Sequence, residues 1–368
     1  MPLRVLIDGL PTRGVGMSLG IVIEHLLYGW DQLEDDDEVH LALGPDANLD
    51  LPESVIVHRL DFKFGHFASR LWAQSVVVPR MVRDLKIDAL FALLPATTFT
   101  PLDCPRGILV PDMRHELRPE QFTPQSRLLR KVSYDVGYSQ ADGMSCISER
   151  TKRDLLATHP RLRRGNRVIQ VAYLGADHVD SWPVPAKGEE YAIAFGQYAN
   201  KNVDLVIDAW TILKGRGEAM PLVVVGLNDV DRQAAQARIE RLGLASLITA
   251  LPWLSIEAFR DRFAGASLVV FPSDFEGFGL PAVEAMRLGI PVVITPEDAL
   301  LEVTDGHATV MDDYGSAALA KGVAQARHTS QEDLESAKKY VAKFTWKGTA
   351  AQIRGMLADL ATQPTFRS

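Results

Sequence analysis

Two glutamates, Glu276 and Glu284, lie eight residues apart in the segment FPSDFEGFGLPAVEAM, residues 271–286. An apolar run precedes them, and between them stand two glycines and Pro281, which suits the first turn of a helix. The carboxylate of Glu284 could accept hydrogen bonds from two vicinal hydroxyls, as on a ribose. The alternative is an acid in the first helical turn that only complements the helix dipole.

The turn between these glutamates predicts a binding site for an anion. The backbone amides around Phe278, Gly279 and Leu280 would lie at a helix N-terminus, where phosphate groups bind readily. Glu276 comes before the turn, where a flexible loop more often carries serine or asparagine. Amides for a phosphate, one carboxylate for a ribose and another for a sugar together indicate a nucleotide-sugar site.

A second loop, GQYANKN at residues 196–202, carries a lysine after a glycine that ends a predicted strand. Lys201 would stand at the start of a helix, so it could reach a diphosphate while the helix N-terminus adds its positive end. Taken alone, such a lysine is more often a solvated surface residue.

A third glycine loop, with Gly14 and Gly16, lies between the first predicted strand and the first predicted helix. The next glycine, Gly20, comes one residue too late for a dinucleotide-binding fingerprint, so the sequence argues weakly for NAD. The loop is either a tight turn or a place where backbone amides approach a phosphate.

Strands and helices alternate along the chain in two series, which predicts an α/β protein with two doubly wound domains and parallel sheets. Such sheets bind ligands at the carboxyl ends of their strands, where all three glycine loops fall. We expect a first domain over 1–174, a linker over 175–190 and a second domain over 191–345. Residues 346–368 are expected to form a helix that crosses back to the first domain.

The composition restricts the class of protein. The chain has 368 residues, 47% of them hydrophobic, and a net charge of −8, which argues against a nucleic-acid partner. Two cysteines, Cys104 and Cys146, are too few for a disulfide framework and suit a reducing cytosol. The sequence shows no signal-peptide pattern and no membrane span, so we expect a cytoplasmic protein that works either in solution or at the inner membrane surface.

Several segments resemble, in the same order, the retaining GT-B glycosyltransferases of family 4, also called group 1. Residues 271–295 resemble the family's donor-site signature with its two glutamates. The other similar segments are IDGLPTRGVGMSLGIVIEHLL, VPDMRHELRPEQF, ADGMSCISERTKRDLL, VAYLGAD and FGQYANKNVDLVIDAW. The resemblance extends from about residue 3 to residue 350.

The resemblance implies a GT-B fold with a cleft between two Rossmann-like domains, and a role for each candidate residue. Glu284 would bind the donor ribose, Glu276 the hydroxyls of the transferred sugar, and Lys201 the diphosphate. Asp112 would sit beside the reacting sugar. The donor-binding set, with backbone amides included, is Gly14, Gly16, Gln197, Lys201, Phe278, Gly279, Leu280 and Glu284.

The resemblance also implies the reaction. A sugar passes from a nucleotide-sugar to a hydroxyl acceptor, and the leaving phosphate helps to deprotonate that acceptor on the same face of the sugar. No metal and no cofactor are expected.

Two positions depart from the family's pattern. Pro111 replaces a histidine before Asp112, and Gln197 replaces an arginine after Gly196, in a loop that is one residue shorter up to Lys201. One phosphate-binding cation is therefore missing at its usual place. Candidates to replace it are Arg13, Arg150 and Arg153.

These departures leave two alternatives open. A sugar-nucleotide epimerase of the same fold would bind the donor but not transfer its sugar, and an inert relative would serve as a donor-binding partner subunit. The Asp229-Val-Asp231 motif of other glycosyltransferases is better explained here as helix capping.

Peripheral contact with a membrane or a lipid-linked acceptor is suggested by an aromatic and basic stretch. Its residues are Phe62, Lys63, Phe64, Phe67, Arg70 and Trp72.

Overall fold

The computed structural model describes residues 1–12, 18–62, 67–183 and 190–363. The chain divides into two compact units, one of Met1–Gly175 together with the segment that begins at Phe344, and one of Ala176–Lys343. Each unit contains a parallel sheet with helices, so the predicted α/β class with two doubly wound domains is confirmed.

The first unit is built on a parallel sheet with the strand order β3-β2-β1-β4-β5-β6-β7. Its central strands are continuous apolar runs because helices cover both faces of a parallel sheet. Val5, Leu6 and Ile7 of the first strand are fully buried. The strands are Arg4–Asp8 (β1), Glu38–Leu43 (β2), Ile56–Arg59 (β3), Ala89–Ala92 (β4), Arg106–Val110 (β5), Gly143–Cys146 (β6) and Val168–Val171 (β7).

Two helices of this unit begin at a residue whose side chain caps the helix N-terminus. Ser148 accepts a hydrogen bond from the backbone of Thr151 at 3.0 Å, as its sequence position predicts, and Thr123 caps the long helix that follows it. The helices up to residue 158 are Ser18–Asp31 (α1), Phe67–Trp72 (α2), Val78–Asp84 (α3), Arg114–Leu117 (α4), Pro124–Gln140 (α5) and Glu149–Thr158 (α6).

The sequence over 69–86 predicts a helix, and the chain is helical from Phe67 to Asp84, with one irregularity that the sequence does not show. A π-helical turn, Ala73–Val77, separates α2 from α3. Within it, Gln74 donates from Nε2 to Asp8 Oδ2 at 2.8 Å and to the carbonyl of Ala96 at 3.0 Å. A π turn contains one more residue than an α-helical turn. Here the π turn places the side chain of Gln74 at the carboxyl end of β1, beside Asp8.

The second unit repeats the scheme with the strand order β10-β9-β8-β11-β12-β13. The strands are Ala192–Phe195 (β8), Leu222–Leu227 (β9), Ile248–Pro252 (β10), Leu268–Phe271 (β11), Val292–Ile294 (β12) and Thr309–Val310 (β13). The helices are Val203–Arg216 (α7), Asp229–Arg241 (α8), Ile256–Ala264 (α9), Leu280–Arg287 (α10), Asp298–Thr304 (α11), Ser316–Ala326 (α12) and Gln331–Val341 (α13). The segment predicted as a linker contributes the 3₁₀ helix Asp177–Ser181 to this unit.

The last helix, Trp346–Thr362 (α14), belongs to the first unit and packs against α1 and against strands β4 to β6. Its large apolar side chains are buried, with Ile353 and Leu357 fully so. Close packing depends on glycine, because a Cβ atom at Gly29 of α1 would lie 2.3 Å from the carbonyl oxygen of Trp346. Arg354 of α14 also donates two hydrogen bonds to the carboxylate of Asp37, at 2.7 and 2.9 Å, which ties the helix to the segment before β2.

Candidate functional site

Two candidate loops of the second unit leave neighbouring strands. Strand β8 pairs with β11, with Ala194 opposite Val270, and the strand order reverses at this pair. Residues 196–202 follow β8 and residues 272–279 follow β11. The carboxyl ends of strands at such a switch point form the crevice where doubly wound sheets bind ligands.

Lys201 and Glu276 are brought together by these loops. Lys201 Nζ donates to Glu276 Oε1 at 2.5 Å and lies 4.1 Å from the centre of the Phe271 ring. Lys201 is only 8% exposed, so the alternative of a solvated surface lysine is wrong. A lysine is rarely buried unless it is paired, and here the pairing carboxylate is the other sequence-predicted residue.

Glu276 is held by two further donors that sequence reasoning missed. Asn200 Nδ2 lies 3.0 Å from Glu276 Oε1 and also donates to Ser273 Oγ and the carbonyl of Phe275. Ser273 Oγ donates to the same carboxylate oxygen at 2.6 Å. Asn200 and Ser273 are almost fully buried, so the loop that carries Glu276 is fixed by polar contacts.

The turn before α10 has the geometry of an anion-binding helix N-terminus. Gly279 is the N-cap residue with φ of 96°, a left-handed conformation that favours glycine, and Pro281 lies in the first turn as predicted. A Cβ atom at Gly279 would lie 2.3 Å from Leu300 Cδ2. Phe278 is buried beside it, and Leu280 begins the helix.

Glu284 is not in the first turn of α10, and this part of the sequence interpretation is wrong. It is the fifth residue of the helix, too far along for the dipole alone to explain it. Its Oε1 lies 3.1 Å from Nε2 of His178, and their side chains are 6% and 4% exposed. His178 comes from the 3₁₀ helix Asp177–Ser181, which no local sequence pattern connects with Glu284.

Gln197, which stands where the family has an arginine, lies directly after Gly196 at the end of β8. Its Nε2 is buried and makes no hydrogen bond within the part of the chain that the structure describes. Leu227 closes the other side of the turn, since a Cβ atom at Gly196 would lie 2.4 Å from its Cδ2. Gln197 therefore offers a neutral donor in the region where the cation was expected.

Asp112 belongs to the first unit and follows β5. Its Oδ1 accepts a hydrogen bond from the backbone of Arg114 at 2.8 Å, which fixes the turn into α4. The glycine loop of this unit cannot be compared with its prediction, because Gly14 and Gly16 lie outside the described residues. Their assignment as phosphate-binding residues stays a prediction.

A carboxylate that the sequence reasoning missed lies at the end of β1. Asp8 is buried and accepts hydrogen bonds from Gln74 and, at 3.2 Å, from the backbone of Leu10. Burial raises its pKa, and the hydrogen bonds only partly offset that effect. The signal in the sequence was the position of Asp8 at the carboxyl end of a buried strand.

One group within the described ranges could offer three ligand atoms to a metal ion. These atoms come from Glu116, Asp135 and His159 of the first unit and lie within 4.8 Å of one another. They are already engaged, since His159 Nε2 lies 2.8 Å from Glu116 Oε1. Burial alone would raise the pKa of Glu116, but the imidazoles of His115 and His159 outweigh it and lower that pKa to about 2.

The Asp229-Val-Asp231 motif lies in the first turn of α8, and the capping residue itself is Asn228. The side chain of Asn228 accepts from the backbone of Asp231 at 2.9 Å and donates to its carboxylate at 2.6 Å. The motif lies at a helix N-terminus, as predicted, but the N-cap is Asn228 and neither aspartate provides it.

The stretch proposed for membrane contact is only partly exposed. Phe62 is 6% exposed and packs in the core of the first unit, so it is unsuited to such contact, whereas Trp72 is 54% exposed. Lys63 and Phe64 lie outside the described residues. None of the helices in the described ranges is both long and apolar enough to span a bilayer.

Comparisons with known proteins agree with this architecture. Residues 181–344 match the model of the family described as Glycosyl transferases group 1. The chain is 29% identical over 190 residues to mannosylfructose-phosphate synthase of Agrobacterium fabrum, covering 47% of this chain and 41% of that protein. It is 26% identical over 233 residues to O-antigen chain mannosyltransferase B of Escherichia coli, covering 62% of this chain and 56% of that protein. The chain thus spans about half the length of these curated relatives.

The similarity to solved structures extends over nearly the whole chain. Sucrose-phosphate synthase from Thermosynechococcus elongatus superposes with a TM-score of 0.75 at 14% identity, over 97% of this chain and 99% of that one. At such low identity this similarity establishes the fold, which is the GT-B fold. Through residues 181–344, nearly all of them in its second unit, the chain is similar to the glycosyl transferases group 1 family.

Proposed function

We propose that this protein is a retaining glycosyltransferase that moves a sugar from a nucleotide-sugar to a hydroxyl acceptor. The observation that carries the proposal is the pair of the buried Lys201 and the partly buried Glu276, with a contact of 2.5 Å, at the carboxyl ends of β8 and β11. It lies in the unit that matches the family. The names of the two curated relatives favour mannose as the transferred sugar.

Each side chain of this site would hold a different part of the donor. Lys201 and the amides at the N-terminus of α10 would bind the diphosphate, because both present positive charge at one edge of the sheet. Glu284 would accept hydrogen bonds from the ribose, and Glu276 from hydroxyls of the sugar. Gln197 would donate to the diphosphate in place of the missing arginine.

The contact between Lys201 and Glu276 has a consequence for donor binding. An ammonium group has three donors, and Glu276 engages one of them in the free protein. A diphosphate can take the others without breaking the pair, so sugar and phosphate would be bound by two directly linked groups. This linkage would hold the bond between sugar and phosphate in a fixed orientation.

The reaction would need little covalent chemistry from the protein. The bond between the anomeric carbon and the diphosphate oxygen breaks, the acceptor oxygen bonds to that carbon on the same face, and the acceptor proton passes to the leaving phosphate. Negative charge grows on the diphosphate, so Lys201 and the α10 amides would stabilise the transition state more than the ground state. Asp112 would orient the reacting sugar from the first unit, as the resemblance implies.

A binding screen tests the proposal directly. UDP, GDP, ADP and dTDP, and sugars linked to each, are added separately while thermal unfolding is followed. A ligand at one hundred times its dissociation constant should stabilise the protein by about 2.7 kcal/mol. We expect one nucleotide series to raise the melting temperature, and the same nucleotide-sugar to yield a glycosylated acceptor.

Two results would contradict the proposal. If none of these nucleotides raises the melting temperature, the site does not bind a nucleotide. If the donor binds but is returned as its epimer, or is neither transferred nor slowly hydrolysed, the protein is an epimerase or an inert binding subunit.

Excess EDTA should leave the initial rate of transfer unchanged, because a lysine and helix amides would neutralise the diphosphate in place of a divalent ion. The rate is measured with and without EDTA, and thermal unfolding is followed in both samples. The unfolding measurement reveals any separate effect of a metal on the fold of the first unit. Complete loss of activity that manganese or magnesium restores would contradict this expectation. Asp229 and Asp231 would then become candidate ligands of a metal ion that binds the diphosphate.

A further inference from the structure

Among the residues that the structure describes, two polar contacts of different character join the 3₁₀ helix Asp177–Ser181 to α10. His178 Nε2 lies 3.1 Å from Glu284 Oε1. One turn further along α10, Arg287 donates to both carboxylate oxygens of Asp180 at 2.8 and 2.7 Å. Both contacts hold the same two elements together, but only the first reaches the residue proposed to bind the ribose.

The two contacts differ most in burial. The side chains of His178 and Glu284 are 4% and 6% exposed, whereas that of Asp180 is 55% exposed. A buried carboxylate needs a hydrogen-bond donor, since it has lost the water that would otherwise solvate it. Within the described part of the chain, His178 is the side chain that hydrogen-bonds Glu284.

The position of His178 is itself fixed by packing. Its ring lies edge-on to Trp182, with ring centres 5.7 Å apart. Trp182 is 7% exposed and packs against Phe263 of α9 with ring centres 5.5 Å apart. The imidazole is therefore held on a rigid support, as is required of a group that orients another.

We propose that His178 is a positioning residue that orients the Glu284 carboxylate toward the ribose hydroxyls of the donor. This inference rests on the proposed function. A carboxylate has about four lone-pair positions, so a hydrogen bond from His178 Nε2 to Oε1 leaves room for two vicinal hydroxyls. It also restricts rotation of the carboxyl group, so that less order has to be gained when the ribose binds.

The competing explanation is that His178 only attaches the 3₁₀ helix to α10. The chain offers a matched control, because Asp180→Ala removes the other attachment between the same elements without touching Glu284. His178→Gln provides a second control, since its side-chain amide can restore a donor near the position of Nε2 without restoring the ring.

The test compares ribose and 2′-deoxyribose forms of one nucleotide by calorimetric titration. The ligands are GDP, UDP and ADP, each compared with its 2′-deoxy form. We expect His178→Ala to weaken binding of the ribose form about tenfold, the effect of a lost hydrogen bond to a charged group, and to weaken the deoxy form less, because that form keeps only the 3′-hydroxyl for Glu284. Asp180→Ala should leave the ratio of the two affinities unchanged, and His178→Gln should recover part of the preference for ribose.

The outcomes separate this inference from the proposed function. If the wild type binds a ribose form and His178→Ala keeps the same ratio of affinities, the positioning role is wrong while nucleotide binding stands. A ratio altered as much by Asp180→Ala as by His178→Ala would also overturn it, because attachment alone would then explain the effect. If the wild type binds none of GDP, UDP and ADP, both the inference and the assignment of the ribose site fail.

Discussion

Replacement of Lys201 by alanine should lower kcat/KM for transfer by about 10²–10³-fold, the range found when one preorganised donor is removed from a developing anion. It should also weaken binding of the bare nucleoside diphosphate by about tenfold or more, because a hydrogen bond from a charged group is lost. Initial rates and calorimetric titration measure the two effects. Lys214→Ala is the matched control, since Lys214 is an exposed lysine of α7 that donates to the carbonyl of Gly243.

The same variant leaves the partly buried Glu276 carboxylate without its counter-charge, which should cost less stability than the roughly 3–5 kcal/mol lost when a fully buried pair is broken. The double variant Lys201→Met with Glu276→Gln removes both charges and should regain most of that stability while remaining inactive. Thermal unfolding of the three proteins therefore separates a loss of fold from a loss of function. Unchanged affinity of folded Lys201→Ala for the nucleotide would show that the diphosphate does not contact this lysine.

The single variant Glu276→Gln should behave differently from Lys201→Ala. It should reduce transfer, because Glu276 is assigned to the sugar, but should leave binding of the bare nucleotide intact or slightly tighter. The direction follows from the contact in the structure, since Lys201 would no longer share its charge with a carboxylate. Nucleotide binding weakened as much as in Lys201→Ala would mean that the roles assigned to the two residues are wrong.

Gly279→Ala should destabilise the protein by about 2–5 kcal/mol, of which about 1–2 arise from the left-handed backbone and about 1–3 from overpacking. The new methyl group would lie 2.3 Å from Leu300 Cδ2 in the unrelaxed structure. For a protein of this size we expect a fall in melting temperature on the order of 10 °C, followed by circular dichroism. Binding of the nucleotide should weaken as well, because the amides at the start of α10 would move.

Gly289→Ala is the control for the clash. Gly289 also has a positive φ, of 71°, but its Cβ would have no heavy atom within 4 Å, so this variant suffers the backbone strain alone. It should therefore be the milder of the two. Equal stability of the two variants would show that Leu300 moves aside freely and that the turn before α10 is less tightly packed than described.

Local sequence patterns were sufficient to predict most strands of the two sheets and most helices of the two units. A run such as LVVF of β11 is buried at every position, so its apolar pattern directly reflects its place in the sheet. The pattern over α2 and α3 was less informative, because a π turn changes the helical phase by one residue and leaves the composition unchanged. The cap at Ser148 and the proline in α10 were predictable because their effects are local.

The candidate site was predictable only where its residues lie in recognisable loops. Lys201 and Glu276 were identified separately, but 75 positions separate them in sequence, and only the pairing of β8 with β11 shows that they touch. His178 and Asn200 could not be found in this way. Their importance comes from burial against a distant carboxylate, and neither spacing nor residue type reports that property.

The packing of α14 on the first unit sets an order of events during synthesis. Residues 344–362 leave the ribosome after every strand of the second sheet, yet they cover α1 and the faces of Gly107 and Gly143 in β5 and β6. A nascent chain can therefore close its second unit while the first still exposes apolar surface. The first unit therefore begins to emerge first but is completed last. Until α14 has been synthesised, the apolar surface that this helix covers is exposed and is available to chaperones.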